Sequence, residues 1–481
     1  MDITSLLFLF LFLPIFIIIY LVAKEELRLL LIIIASLVFL AWGDRNAIVW
    51  TGIVLFTGYS VGICLSLANA KGKLIWLWVG LGINLALLFL FKVYASYGSQ
   101  FVSSIGIPDQ LKQPFTSLTI PLGISYITFQ AISYLVDVWR GTISAEKNLL
   151  RFSAYLLFFP KLISGPLMRY SSFAGQINEL KPSFESIATG IRRLFVGFIK
   201  RTLIANQVAL VADAVFNLPH PNIAPHFAWL ALIAYTLQIY FDFAGYTDMA
   251  IGLGMMIGIQ LPENFNVPYM AQSISDFWRR WHITLTAWFR EYVFYPLERR
   301  RLKWAGQQIN ILVVFFLTGL WHGLRPTYIV WGLLYGITLA IESLGFGRWL
   351  GHAWRPIRHA YVLTIVLSGW VFFRSNSLNF AIGFFSRLAG DFTGVTVLPF
   401  SITAPLPFIE PSIILAIIGG IIFSFPLPFF INQQRTRIEK DNPRIYFAFQ
   451  IAQDFVLMAL YILGLAAILS EGYTPNIYAA F

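Results

Sequence analysis

Charge is what this chain has least of. Asp, Glu, Lys and Arg make up 12% of its 481 residues, against 58% that are hydrophobic. A soluble globular protein carries about 25% charged residues, so a soluble enzyme or binding module is excluded. Cysteine is nearly absent: Cys64 is the single thiol, which rules out a disulfide framework and a cysteine-held metal. Internal repeats, low-complexity tracts and a separate soluble domain are also missing. The amino end lacks the basic cluster of a secretory signal. Asp2 precedes SLLFLFLFLPIFIIIYLVA (Ser5 to Ala23), and no small-residue cleavage site comes before KEELR, so this stretch reads as a retained helix.

Long apolar runs are what the chain has instead. LRLLLIIIASLVFLAW (Leu27 to Trp42) follows the first at once, and roughly ten segments approach the 20 or so residues that a spanning helix needs. The sequence therefore predicts an all-α polytopic transmembrane protein. The 34 Lys and Arg outnumber the 23 Asp and Glu, giving a net charge of +11. That excess does not indicate nucleic acid, because the basic residues are spread through short connections of the kind that collect positive charge on the cytoplasmic side. The polar connections are Lys71 to Lys73, Ser96 to Gln113, Ser172 to Glu185, Asn217 to Pro225 and Gln433 to Arg444, the last (QQRTRIEKDNPR) reading as a cytoplasmic loop.

These short connections leave one transmembrane domain over residues 1–481. Helices at 5–96 and 360–470 hold few polar residues and flank a core at 118–347. In that core, from about Pro121 to Gly347, polar groups interrupt almost every apolar run. Such groups are expensive in lipid and persist where they face protein, water or a substrate path. The chemistry is expected in the middle and the scaffold at the ends.

Three stretches stand out in the core. YFDFAGYTDMAIGLGMMIGI (Tyr240 to Ile259) carries Asp242 and Asp248 with Gly245, Gly252, Gly254 and Gly258. The glycines suit close helix packing, and each aspartate suits either a structural pair with an arginine or a substrate contact. DFWRRWHITLTAWFREYVFYPLERRRLKW (Asp276 to Trp304) combines Trp278, Trp281, Trp288, Arg279, Arg280, Arg290 and Glu291 with the basic run Arg299, Arg300, Arg301 and Lys303. Tryptophan and arginine at helical spacing suit a helix lying in the membrane interface, but that location has no need of His282. LTGLWHG (Leu317 to Gly323) places His322 after an apolar run, beside Trp321.

Of six histidines, His220 and His226 flank prolines in a loop, and His352 and His359 lie in the basic connection GHAWRPIRHA. His282 and His322 alone sit in the polar core with aromatic surroundings, some forty positions apart and without a spacing that would add metal ligands. A metal is not expected. A buried histidine is often a core residue with one hydrogen bond. In a dry aromatic setting, however, an imidazole with an ordinary pKa of about 6.5 suits general-base work. No nucleophile elbow accompanies it, so the base would act on a hydroxyl brought by a substrate, as in acyl transfer.

At these residues the chain resembles the membrane-bound O-acyltransferase (MBOAT) superfamily. The ordered matches are PLGISYITFQAISYLVDVWRG, FFPKLISGPLMRY, YFDFAGYTDMAIGLG, DFWRRWHITLTAWFREYVFYPL, LTGLWHG, WGLLYG and GWVFFRS. The resemblance implies a helical funnel with about 10 to 13 spanning helices plus re-entrant and interfacial helices, and Phe152 to Pro166 is a candidate re-entrant segment. It implies His322 as the catalytic histidine and His282 as a second catalytic position. Trp321, Trp281, Arg279, Arg280, Asp242, Asp248, Arg290 and Glu291 become candidate substrate or donor contacts. It also implies a bacterial inner-membrane enzyme with no bound cofactor. Such an enzyme draws on a cytoplasmic thioester and delivers the acyl group to a glycan or to an extracytoplasmic SGNH-type partner.

Two branches compete. DFAGYTDMAIGLGMMIGI, LTGLWHG, GWVFFRS and the tail EGYTPNIYAAF are similar to polysaccharide O-acetyltransferases of the alginate type, with acetyl-CoA as donor. ISGPLMRY leans toward teichoic-acid D-alanyl transfer from a carrier protein, and ERRR stands where the family has a glycine-rich step after the YxPL element. In either case Arg299, Arg300, Arg301 and Lys303 would suit CoA phosphates or an acidic carrier at a cytoplasmic mouth. A transporter or flippase would instead show inverted repeats with paired broken helices, and the sequence has none.

Overall fold

The computed structural model describes residues 2–104, 120–178, 180–299, 306–395, 410–427, 433–434, 437–439 and 441–471. Arg300, Arg301 and Lys303, the tail beyond Glu471, residues 105–113 and parts of the Gln433 to Arg444 connection lie outside them. Every regular element among the described residues is helical. In chain order the principal helices begin with α1 (Phe8–Val22), α2 (Glu25–Gly43), α3 (Arg45–Leu67), α4 (Ala70–Ser104), α5 (Ile124–Arg140) and α6 (Leu149–Leu157). Next come α7 (Phe184–Phe216), α8 (Pro225–Ile257), α9 (Ile274–Arg280), α10 (Ile283–Phe289) and α11 (Gln307–His322). The chain ends with α12 (Pro326–His352), α13 (Arg355–Arg374), α14 (Leu378–Leu388), α15 (Pro411–Phe423) and α16 (Pro443–Glu471).

Eight of these helices are long and apolar enough to cross a membrane, namely α2, α3, α4, α7, α8, α12, α13 and α16. Helices α1 and α15 are apolar but shorter. The eight are counted among the described residues alone, where several core segments fold as short pieces. Helices α9 and α10 have seven residues each, about 10 Å of rise against a hydrocarbon core of about 30 Å. The connection expected at Ser96 to Gln113 also starts late, since α4 continues to Ser104. Its Ser and Tyr residues are polar but do not break a helix.

The chain divides into two compact units, one formed by Met1–Leu194 with Tyr246–Glu263 and the other by Phe195–Gly245 with Asn264–Ile477. In the first, α5 is buried along nearly its whole length, Ser125, Thr128, Gln130 and Ser133 included. Tyr134 of this helix meets Phe152 and Tyr170, and Tyr155 meets Tyr170 and Phe173, each edge-on or tilted. Phe152 to Pro166 folds as the end of α6 and a four-residue turn Phe159–Leu162, with a break at Phe158. Lys161 in that turn is fully buried, donates to Gln130 Oε1 and lies 4.1 Å above the Tyr155 ring. Gly58 and Gly62, in the GYSVG stretch of α3, are packing positions in mid-helix. A Cβ there would strike Phe152 and Tyr134.

The second unit holds the carboxy-terminal part of α7, the amino-terminal part of α8 and everything from Asn264 on. Its closest helix pair is α11 with α12. A Cβ on Gly319 would come within 2.5 Å of the Tyr328 carbonyl oxygen, and one on Gly332 would collide with that of Phe315. Two glycines thus let the backbones touch and fix where α11 ends.

Candidate active site

His322 is the last residue of α11, before the turn HGLRP that leads into α12. It is 5% exposed. Its ring meets Trp321 at 4.6 Å, Trp331 at 4.9 Å and Phe373 at 4.9 Å between centroids, the last two almost perpendicular. Apolar rings on three sides exclude water from the imidazole.

His282 is held by a different device. The segment expected as one interfacial helix is broken into α9 and α10, and His282 forms the break with φ +44° and ψ +53°. That left-handed backbone costs a non-glycine residue about 1–2 kcal/mol. The turn is secured by Asn266 N–H donating to Arg280 O at 2.9 Å and Ile283 N–H donating to Asn264 O at 3.0 Å. The imidazole is 2% exposed, edge-on to Phe243 at 4.7 Å. Burial pulls its pKa down to about 3, keeping the ring neutral at physiological pH.

Trp321 joins the two. Its ring lies 4.6 Å from that of His322 and 6.4 Å from that of His282. A cavity of about 500 Å³ lined by Trp278, Arg279, Arg290, Thr318, Glu342 and Arg348 among others reaches the same helices, although neither histidine nor Trp321 is part of its lining. Thr318 lies one turn before His322 on α11, and the cavity residues Leu285 and Thr286 lie one turn after His282 on α10. Glu342 is committed elsewhere. Its carboxylate accepts the N–H groups of Ile274 and Ser275 at 2.7 and 3.0 Å, capping α9. Arg279, Arg290 and Arg348 bring positive charge to the cavity, and Arg279 also pairs with Asp276 at 3.4 Å. Among the described residues no three His, Cys, Asp or Glu come together as a metal site.

The remaining candidates scatter. Arg280 pairs with Asp276 at 3.0 Å and is not in the cavity lining, nor is the half-buried Glu291. Trp281 is 2% exposed, stacked on Phe277 at 5.7 Å and against Trp370 at 4.9 Å. Trp278 is likewise buried, at 6%. Neither ring sits at a surface as the interfacial reading of this segment requires, because the break at His282 turns α9 into the aromatic core. For the aspartates, the ion-pair alternative is the one the structure displays. Asp242 meets Arg201 at 2.8 Å with both side chains buried, and Asp248 meets Arg193 at 2.6 Å. Arg193 also holds Glu263 at 2.6 Å.

Sequence reasoning missed Asn264, Phe243, Trp331, Phe373 and Glu342. Phe243, Trp331 and Phe373 lie within YFDFAGYTDMAIGLG, WGLLYG and GWVFFRS without being singled out there, and Glu342 is a lone carboxylate at the end of an apolar run.

The membrane-bound O-acyltransferase family model matches residues 143–372. The chain is 40% identical over 391 residues to a protein named probable alginate O-acetylase from Pseudomonas aeruginosa, covering 79% of this chain and 73% of that one. It is 33% identical over 426 residues to the peptidoglycan O-acetyltransferase of Helicobacter pylori, covering 80% and 79%. With the teichoic acid D-alanyltransferase of Bacillus subtilis the identity is 35% over 262 residues, 51% of this chain and 65% of that one. These relatives and the ordered motifs agree on one conclusion: the chain is a multi-pass membrane O-acyltransferase and belongs to the membrane-bound O-acyltransferase family.

Proposed function

We propose that the protein transfers an acetyl group from acetyl-CoA to a hydroxyl of an extracytoplasmic polysaccharide, directly or through an SGNH-type partner, in a bacterial inner membrane. One observation carries this reading: His282 and His322 contact the same indole, one helical turn beyond an arginine-lined cavity. The cavity suits a donor with phosphates at Arg279, Arg290 and Arg348 and a pantetheine arm running past Trp278 toward Thr318. His322 removes the proton of the acceptor hydroxyl while its oxygen attacks the thioester carbonyl carbon. The carbon–sulfur bond then breaks, the thiolate leaves, and the proton returns to sulfur from the imidazolium. Because a thioester is already activated, holding the two reactants together supplies much of the rate. Asp242 and Asp248 brace α7 against α8 in this scheme and have no part in the chemistry.

The polysaccharide acceptor is supported by the alginate and peptidoglycan relatives. A second reading, D-alanyl transfer from a carrier protein toward teichoic acid, is favoured by the Bacillus subtilis relative and by ISGPLMRY. Proteoliposomes supplied with labelled acetyl-CoA and an acceptor glycan separate the two. Transfer by wild type and its loss in His322→Ala support the first reading. Transfer only from an aminoacylated carrier protein supports the second, and wild-type rates in the mutant would remove His322 from the mechanism.

A further inference from the structure

Asn264 opens the segment that leads into α9, and it is 1% exposed. Its side-chain oxygen accepts the Thr284 N–H at 3.2 Å and the Thr284 hydroxyl at 2.9 Å, and it stands 3.2 Å from His282 Nδ1. A carboxamide can in principle be turned so that nitrogen and oxygen change places. Here the Thr284 backbone decides the matter, because an amide N–H can only donate and the atom facing it must be oxygen. The same oxygen faces His282 Nδ1, so in the neutral ring that nitrogen carries the proton and Nε2 carries the lone pair.

We propose that Asn264 is a positioning residue for the acyl transfer, holding His282 in its Nδ1–H tautomer so that Nε2 meets the substrates only as a hydrogen-bond acceptor. The proposal rests on the reading of His282 as part of the transfer site. It assigns a direction to that residue. An acceptor nitrogen can receive the hydroxyl of the incoming acceptor or an amide N–H of the donor arm. It cannot donate to the thioester oxygen as negative charge builds there, so that oxygen is met by another group. The contacts also hold the strained turn. Asn264 bonds to residues 282, 283 and 284 in succession, and these contacts aim a ring that stands on a left-handed backbone. Phe243 of α8 and Trp321 of α11 face the imidazole, and His322 shares Trp321 with it. Burial lowers its proton affinity.

The test uses the full chain in nanodiscs with ¹⁵N-labelled histidine, the His282 signal being assigned by its loss in His282→Gln. The expected wild-type spectrum shows a protonated Nδ1 at His282. Asn264→Ala is expected to release that tautomer and lower kcat about 10- to 100-fold, as loss of a histidine's orienting partner does elsewhere, with a smaller change in KM. If the alanine variant does not fold, Asn264→Asp answers instead. A carboxylate also accepts from Nδ1, so the tautomer is retained, while its charge stabilises the imidazolium and moves the acidic limb of kcat/KM to higher pH. Thr284→Val disturbs the same turn and is expected to leave the tautomer as it is. An Nε2–H tautomer in wild type, an unchanged tautomer in Asn264→Ala, or an unmoved pH limb in Asn264→Asp would each overturn the proposal. The spectrum needs no turnover, so a protein that failed to transfer acetyl would sink the proposed function without deciding the tautomer.

Discussion

The arginine–aspartate pairs along α7 and α8 and the two histidines around Trp321 are both buried polar groups, and they meet the cost of burial in opposite ways. Arg201 and Asp242 keep their charges and neutralise each other at 2.8 Å. His282 sheds its charge and is walled by Phe243 and Trp321. A charged pair that satisfies itself has nothing left to offer a substrate and acts as a brace. The His282 imidazole instead keeps one ring nitrogen on the Asn264 side-chain oxygen at 3.2 Å and lies among aromatic rings. Buried polarity alone therefore does not mark a site in this chain, and the proposed function places the chemistry at the uncharged group rather than at the ion pairs.

That contrast can be broken by mutation. The largest effect is expected from His322→Ala, which should lower kcat by about 10²–10⁴-fold while leaving the thermal unfolding midpoint close to wild type, as measured on the purified protein. Arg201→Met should do the reverse. It strands Asp242 without Arg201 and costs about 3–5 kcal/mol of stability, read as a lowered unfolding midpoint. Arg201→Met combined with Asp242→Leu should recover most of that loss. His282→Asn, a residue that the left-handed turn tolerates, is expected to reduce kcat about 10- to 100-fold with little change in stability. The smallest effect belongs to the cavity rim. Arg290→Gln and Arg348→Gln should each raise KM for acetyl-CoA by about 3- to 10-fold with kcat unchanged, an effect that shrinks in high salt as exposed charges are screened. A fall in kcat from either rim variant would place these arginines in the chemistry rather than at the entrance.

How much of this was written in the sequence depends on the distance over which each residue acts. The spanning helices were legible because hydrophobicity is local: α2 and α3 are continuous apolar runs. His322 was legible because it interrupts such a run, and His282 because an interfacial helix gave it no reason to exist. Their neighbours were not. Trp278 and Trp281 have the composition of a membrane-surface helix, and only the backbone reversal at His282 turns them inward. Asn264 looks like any polar loop residue, yet its partners His282 and Thr284 come 18 and 20 positions later. The partners of Asp242 and Asp248 lie 41 and 55 residues away, and no local pattern identifies which arginine each will meet.

The left-handed turn at His282 also bears on how this protein can change over generations. Outside glycine, that backbone conformation is tolerated chiefly by Asn, Asp and His, and poorly by β-branched or bulky residues. The residues that can replace His282 without rebuilding the α9–α10 junction are therefore themselves small or hydrogen-bonding. Drift at this position is confined to side chains that could still serve or merely vacate a polar site, and the route to a sealed hydrophobic pocket is closed by the chain's own geometry.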